Sequence, residues 1–175
     1  MKPAPLLVLA VGNPSRGDDA LGPALLDRLR DAGIEAAGDT ELLTDFQLQV
    51  EHALDLDGRR AVLFVDAAHP AAGAGGGVTI EPLQAADAVP PASHVLSAQA
   101  VLHVAAALRG HAPPAWQLAI EGESFALGDG LSAAAQCRLE RALPMVTDWL
   151  RARRADAAVC LSTFRSGTLA LPEFR

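Results

Sequence analysis

The stretch that decides the fold is LLVLAVGNPSRGDD, residues 6–19. Its first six residues are all apolar, which is typical of a strand buried on both faces of a parallel sheet. The apolar run ends at Gly12 and Asn13, which favour a turn, and two acids, Asp18 and Asp19, follow before the next apolar segment. The stretch therefore predicts a central strand whose carboxyl end leads into a polar loop.

A second apolar run, AVLFVDAA at residues 61–68, predicts another buried strand. Around these two strands, the spacing of apolar residues alternates between helical and extended patterns. Helices are predicted at 21–32, between 46 and 58, at 98–108 with Ser97 as N-cap, and from Ser132 toward Arg154, where Pro144 is expected to kink or divide the helix. Further strands are predicted at 34–43, at an edge of the sheet, and at 78–83 and 116–120.

The alternation of strands and helices is typical of an α/β fold. Because crossovers between parallel strands are right-handed, we expect a doubly wound, mostly parallel, twisted sheet of about five strands with helices on both faces. Residues 1–154 are expected to form a single domain. The glycine-rich segment 69–77 predicts a mobile surface loop, and residues 155–175 predict a loosely packed tail because they show little periodicity.

The composition excludes several kinds of chemistry. The chain of 175 residues has one lysine, Lys2, no tyrosine, and two cysteines, Cys137 and Cys160, which lie far apart. These counts argue against Schiff-base lysine chemistry, a P-loop lysine, tyrosine acid–base catalysis, cysteine-rich zinc sites and iron–sulfur clusters. Any reaction must therefore use Asp, Glu, His, Ser, Arg or the backbone.

Charge and hydropathy limit the expected partners and location. The net charge is −7, so nucleic acid is not expected as a partner. No apolar run reaches the ~18 residues that a membrane span needs, and the first residues do not resemble a signal peptide. We therefore expect a cytoplasmic protein with reduced cysteines and no membrane partner.

Polar side chains follow both buried strands at the edge of the sheet where ligands gather in doubly wound folds. Asp18 and Asp19 follow the first strand. Asp66 comes directly after VLFV in the second, and His94 precedes a helix. Carboxylates and an imidazole, without thiolates, favour a mixed oxygen and nitrogen site for a divalent metal such as nickel, zinc or manganese. His69, three residues after Asp66, is a rival to His94 as the nitrogen ligand.

Structural roles are the competing interpretations of these residues. An aspartate at a helix start, such as Asp18 or Asp19, is most often a cap. Asp66 is harder to explain in this way, because an acid directly after a buried strand needs a partner there. A serine hydrolase is not favoured, since Asn13 stands where the motif G-x-S-x-G around Ser15 needs glycine.

Three segments together resemble the signature segments of the hydrogenase maturation proteases. They are VGNPSRGDDALG at 11–22, FVDAA at 64–68 and SHVLS at 93–97. Two others, FQLQVEHALDLDGR at 46–59 and FALGDGLSAAA at 125–135, are similar to members that process soluble hydrogenases. The resemblance implies the twisted sheet predicted above, with one antiparallel strand. We assign that strand to 78–83, because the glycine loop before it is too short for a crossover helix.

The resemblance also implies a set of site residues. It places the metal-contacting trio on Asp19, Asp66 and His94, with Asp19 and Asp66 as the catalytic pair and Asn13 and Asp18 in support. The family often has glutamate where this chain has Asp19, and a Pro-Gly pair after Asp66 that this chain lacks. The role of His69 therefore stays open.

Members of this family are endopeptidases that remove the C-terminal peptide of the nickel-iron hydrogenase large-subunit precursor once nickel is in place. The resemblance implies this precursor as partner and its nickel as the metal contacted, with another divalent metal as a substitute in the isolated protein. Two routes to cleavage stay open: attack by a metal-bound water, or by a water that a carboxylate activates. The alternative function is a non-catalytic, nickel-dependent binding or adaptor module for a metalloprotein precursor.

Overall fold

Five strands form one sheet in the computed structural model, which describes residues 3–70, 77–87 and 96–166. They are β1 (Leu6–Val11), β2 (Thr40–Asp45), β3 (Ala61–Ala68), β4 (Val78–Leu83) and β5 (Ala115–Glu121). Their order across the sheet is β2, β1, β3, β5, β4. The first four in this order are parallel, and β4 pairs antiparallel with β5. The predicted α/β fold and its antiparallel strand are confirmed.

Helices cover both faces of this sheet. They are α1 (Leu21–Asp31), α2 (His52–Asp55), α3 (Ala98–Arg109) and α4 (Ala133–Ser166), and short 3-10 turns span Gly17–Ala20 and Ile34–Ala37. One set of alternate β1 side chains packs with α1 and α4, and the other set packs with α2 and α3. All six residues of β1 are buried, as their uninterrupted apolar pattern predicts.

Several predicted boundaries are confirmed to the residue. The strands at 6–11, 61–68 and 78–83 begin and end at the predicted residues. The N-cap of α3 is also confirmed, because the Ser97 hydroxyl accepts a hydrogen bond from the N–H of Ala100 at 3.2 Å. Long apolar runs bounded by polar or glycine residues leave little freedom in where a strand ends.

The strand predicted at 34–43 begins later than expected. Residues 34–37 form a 3-10 turn between Gly33 and Gly38, which both have a left-handed backbone with φ of +71° and +69°. Each glycine turns the chain, so extended structure starts only at Thr40. The predicted edge position of this strand is confirmed.

The helix predicted between 46 and 58 is reduced to the single turn α2. Hydrogen bonds of the preceding loop explain the difference. The N–H of Phe46 donates to Asp45 Oδ1 at 2.6 Å, and the N–H of Gln49 donates to His52 Nδ1 at 2.9 Å. Because side chains already accept hydrogen bonds from these N–H groups, a helix would not add hydrogen bonds for them.

The last helix is longer than predicted. It runs unbroken through Pro144, which therefore does not divide it, and continues past the expected end at Arg154 to Ser166. Residues 155–166 of the expected tail are thus helical, and how they pack stays a prediction. Residues 167–175 and the glycine-rich segment 71–76 lie outside the described residues.

The order of the strands creates a crevice at the carboxyl edge of the sheet. β2 and β3 pair with opposite sides of β1, so the chain changes its direction of travel across the sheet at β1. Ligands bind at the carboxyl ends of the strands beside such a change of direction. In the described part of the chain, no helix is long and apolar enough to cross a membrane.

Candidate active site

The loop after β1 begins at Gly12, where the backbone turns sharply. This residue has a φ of +146°, and a Cβ built on it would lie 2.0 Å from the carbonyl oxygen of Asp19. Its N–H donates to the carbonyl of Asp45 at the end of β2, at 3.1 Å. Glycine is therefore required here, because any side chain would displace the backbone that carries Asp19.

Replacing Gly12 by alanine is expected to destabilise the fold by about 2–4 kcal/mol, because the added Cβ overlaps backbone and the φ angle disfavours a side chain. The measurement is the free energy of unfolding in denaturant. Gly130→Ala is the matched control, since a Cβ there meets nothing within 4 Å. Equal losses in the two variants would contradict the steric argument.

Asp19 is held in place by the turn that it follows. The N–H of Asn13 donates to Asp19 Oδ2 at 2.8 Å, and Asn13 Oδ1 accepts from the N–H of Ser15 at 2.9 Å. Asn13 thus fixes the turn through an Asx bond and positions the carboxylate through its backbone. The supporting role predicted for Asn13 has a clear geometric basis, and the Asp19 side chain lines a cleft at this edge of the sheet.

Asp66 lines the same cleft from β3. It stands one residue beyond the last pair between β1 and β3, Ala10 with Val65. Burial raises the pKa of Asp66 to about 6, and the nearby charge of Asp19 adds to this increase, although the N–H of Ala67 opposes it. The two aspartates predicted as a pair therefore lie close enough for their charges to interact.

The carboxyl of Asp66 is expected to titrate near pH 6 in protein treated with a chelator, as followed by carbon-13 NMR of the labelled side chain. In the Asp19→Asn variant the midpoint should fall, because one source of negative charge is gone. It should stay above the ordinary 3.8, because burial is the larger cause. A midpoint that Asp19→Asn leaves unchanged would contradict the interaction between the two carboxylates.

Asp18 faces inward and is fully buried. Its carboxylate accepts hydrogen bonds from the N–H groups of Glu123, Ser124 and Ser132 at 2.6, 3.1 and 2.7 Å, and from the Ser132 hydroxyl at 2.8 Å. Burial by itself would raise the pKa of Asp18, but these bonds together lower it. Asp18 therefore joins the loop after β1 to the segment before α4.

The two candidate histidines have different outcomes. His69 lines the cleft, and its ring packs on Phe125 with 4.4 Å between the ring centroids. His94, the third member of the predicted trio, lies outside the described residues. The structure therefore brings Asp19, Asp66 and the rival ligand His69 to one cleft, and the role of His94 stays a prediction.

The cleft has a volume of about 460 Å³ and opens to solvent. Charged and apolar groups alternate on its wall. The lining residues are Val11, Gly12, Arg16, Asp19, Phe46, Gln47, Leu48, Asp66, Ala67, His69, Leu96 and Phe125. The cleft therefore brings two interacting carboxylates together with apolar side chains in a space that is open to solvent.

Solved structures of other proteins share this architecture. The hydrogenase-maturating endopeptidase HybD of Escherichia coli is 25% identical to this chain, with a TM-score of 0.61 over 83% of this chain and 91% of that one. The [NiFe] hydrogenase maturation protease HycI of Thermococcus kodakarensis is 20% identical, with a TM-score of 0.63 over 85% and 93%. This chain has the fold of the hydrogenase maturation proteases. The family resemblance predicted from the sequence is confirmed.

A further endopeptidase structure from Escherichia coli matches the maturation-protease fold at 24% identity and a TM-score of 0.64, over 83% of this chain and 91% of that one. No protein-family model and no curated protein sequence matches the chain. The matched structures are named as endopeptidases or proteases, which agrees with the predicted enzyme class.

The fit of a metal to this maturation-protease cleft rests on its donor groups. Among the described residues, no three Asp, Glu, His or Cys side chains are grouped closely enough to hold a metal ion. Asp19 and Asp66 offer carboxylate oxygens of the kind that divalent cations accept as ligands. Burial is the main cause of the raised pKa of Asp66, and the negative charge of Asp19 adds to it. Two carboxylates alone do not complete a metal site, so the metal-contacting trio of Asp19, Asp66 and His94, with His69 as the rival ligand, stays a prediction.

Sequence reasoning missed part of the maturation-protease cleft. Arg16, Phe46, Leu96 and Phe125 line it, and none of them was predicted as a site residue. All four lie in segments that carry the family resemblance. The signal was therefore present in the motifs but was not assigned to these side chains.

Proposed function

We propose that the protein is an endopeptidase that removes the C-terminal peptide of a [NiFe] hydrogenase large-subunit precursor after nickel insertion. The observation that carries the proposal is the pairing of Asp19 and Asp66 in one cleft of the maturation-protease fold. The reaction is hydrolysis of one peptide bond, and the substrate is a folded protein with an extended terminal segment. The cytoplasmic location expected from the sequence stays a prediction.

Asp66 is the residue that moves a proton in this proposal. In the cleft without a metal its pKa is near 6, so its carboxyl can take up and release a proton near neutral pH. On the route in which a carboxylate activates the water, Asp66 accepts a proton from the water that attacks the scissile carbonyl and returns a proton to the departing amine. Asp19 holds the negative charge that favours proton uptake by Asp66, and Asn13 keeps Asp19 in position.

Nickel enters this proposal as part of the substrate. Asp19 and Asp66 contact it together with His94, as the resemblance implies, or with His69 from the cleft wall. A nickel ion bound there would supply Lewis-acid polarisation of the peptide carbonyl. A precursor without nickel loses these contacts, so the same residues would distinguish loaded from empty precursor. Another divalent metal is the proposed substitute in the isolated protein.

The test is to mix the purified protein with nickel-loaded or nickel-free precursor and to follow the precursor mass. We expect loss of the C-terminal peptide from the loaded form alone. Cleavage of both forms would overturn the proposal that the cleft distinguishes nickel-loaded from nickel-free precursor. Cleavage of neither, with a stable complex formed on the loaded form, would instead support the adaptor function considered above.

A further inference from the structure

Arg16 is a cation in the cleft that has no partner among the described residues. It is exposed, it lines the same cavity as Asp19 and Asp66, and its side chain makes no hydrogen bond or ion pair within the described part of the chain. Every other arginine whose side chain is described has such an interaction. Arg16 is thus an exception among the arginines whose side chains are described, and its five donors are not used by any described residue.

The backbone around Arg16 is fixed on both sides. The N–H of Arg16 donates to the Asn13 carbonyl at 3.0 Å, and its own carbonyl accepts from the N–H of Asp19 at 3.1 Å. The N–H of Gly17 donates to the Asp129 carbonyl at 3.1 Å. A loop held in this way presents its side chain from a rigid base, which lowers the entropic cost of binding a ligand.

Phe46 is a second unusual residue on the wall of the cleft. It is 68% exposed although it is a large apolar side chain. Asp45 holds the loop of Phe46 in place, because Asp45 Oδ1 accepts a hydrogen bond from the N–H of Phe46 at 2.6 Å and Asp45 Oδ2 lies 3.3 Å from His52 Nε2. An exposed aromatic ring on a loop held in this way is typical of a residue that contributes to protein binding.

We propose that Arg16 and Phe46 determine which peptide segment the cleft accepts. Arg16 pairs with a carboxylate side chain of the precursor near the scissile bond, and Phe46 packs on an apolar side chain beside it. The inference rests on the proposed function, since it concerns how the same cleft recognises its substrate.

Charge complementarity supports a carboxylate as the partner of Arg16. The cleft also contains Asp19 and Asp66, whose negative charges would repel an acidic peptide. A guanidinium offers two parallel N–H donors to a carboxylate, which a lysine ammonium cannot do. Arg16 therefore converts a cleft that disfavours acidic segments into one that selects a segment with an acid at one fixed position.

The first arm of the test compares cleavage of nickel-loaded precursor by the wild type, Arg16→Gln and Arg16→Lys. Arg16→Gln should lower kcat/KM about 10- to 100-fold, mainly through KM, as expected for loss of a charged hydrogen-bonded pair. Arg16→Lys should fall between the two. Arg109→Gln is the matched control. Arg109 is exposed at the C-terminal end of α3, outside the cleft, and pairs with Asp57. An unchanged kcat/KM in Arg16→Gln would overturn the inference.

The second arm locates the partner by changing each Asp or Glu near the scissile bond of the precursor to its amide. One such change should reduce kcat/KM with the wild type as much as Arg16→Gln does, and should cause no further loss when combined with Arg16→Gln. Additive losses at every position would overturn the pairing. Phe46→Ala should raise KM about 10-fold, whereas Leu54→Ala, which removes an exposed side chain outside the cleft, should not.

A binding measurement separates failure of this inference from failure of the proposed function. Precursor affinity is measured in the Asp66→Asn background, with and without Arg16→Gln, at low and high salt. If the wild type cleaves and Arg16→Gln cleaves and binds equally well, the proposed function stands and the role of Arg16 is wrong. If the wild type does not cleave but Arg16 still governs salt-sensitive binding, the protease function is wrong and the recognition role stands. Absence of both cleavage and binding overturns both.

Discussion

Replacing Asp18 by alanine is expected to destabilise the protein by about 3–5 kcal/mol, because three backbone N–H groups and one hydroxyl lose their acceptor in a buried position. Asp18→Asn should also destabilise the protein, since the NH₂ group of the asparagine would face the N–H groups that now donate to the carboxylate. The free energy of unfolding, measured in urea with circular dichroism, gives the effect. This substitution has the largest expected effect on stability.

Asp27→Ala is the matched control for this prediction. Asp27 is also an aspartate near the start of the chain, but its side chain is 71% exposed and makes a surface ion pair with Arg30. Its loss should change the free energy of unfolding by less than about 1 kcal/mol. Similar destabilisation by the two substitutions would refute the structural role assigned to Asp18.

The contribution of Asp18 should also depend on pH. Its pKa is lower in the folded state than the ordinary value of 3.8. The stabilisation is therefore present above that value and is lost as the pH falls toward the folded-state pKa. Asp18→Asn should consequently show a smaller loss of stability on acidification than the wild type does.

Replacing Asp66 by asparagine is expected to abolish precursor processing, with kcat/KM reduced by about 10³-fold or more. The amide has nearly the same shape as the carboxyl, but it cannot exchange a proton or contribute a negative charge. Processing is measured by the mass of the precursor after incubation. Asp57→Asn, at the opposite edge of the sheet, is the control and should process normally.

The same variant should be more stable than the wild type at high pH. Folding raises the pKa of Asp66 from 3.8 to about 6, so the unfolded chain ionises first and the folded state is penalised as the pH rises through this window. Asp66→Asn removes the penalty and should gain up to about 3 kcal/mol at pH 8 in the presence of a chelator. The gain should disappear below about pH 4.

This pair of results distinguishes a functional residue from a structural one. A loss of processing together with greater stability cannot be attributed to unfolding. Full processing by Asp66→Asn would refute the assignment of the site. A loss of stability at pH 8 would refute the burial of its charge.

The parts of the fold that were predicted share a physical cause. β1 is buried along its whole length and β3 over its first five residues, so those residues are all apolar and the strands could be recognised in the sequence. The start of β2 and the length of α2 depend instead on left-handed glycines and on side-chain hydrogen bonds within a loop. Such competition between local bonds has no periodic pattern, so apolar spacing misplaced both elements.

The positions of the two aspartates in the candidate site could be predicted from the sequence, but the residues around them could not. Asp19 and Asp66 follow strands that had to be neighbours, so their convergence followed from topology. The donors to Asp18 and the ring that packs on His69 come from distant segments. The N–H of Glu123 donates to Asp18 across 105 positions of the chain, and Phe125 also lies far along the chain from His69. A pattern within one segment carries no information on contacts of that separation.

The bonds of Asp18 also have a consequence for the order in which the molecule folds. They join it to residues 105 to 114 positions later in the chain. Closing so long a loop is slow in entropic terms, and during synthesis the partners do not yet exist when β1 and β3 emerge. We therefore expect the cleft to be completed last, after β5 and the first turn of α4. A nascent chain that ends before Glu123 would carry Asp19 and Asp66 but would not yet have the hydrogen bonds of Asp18 that complete the cleft.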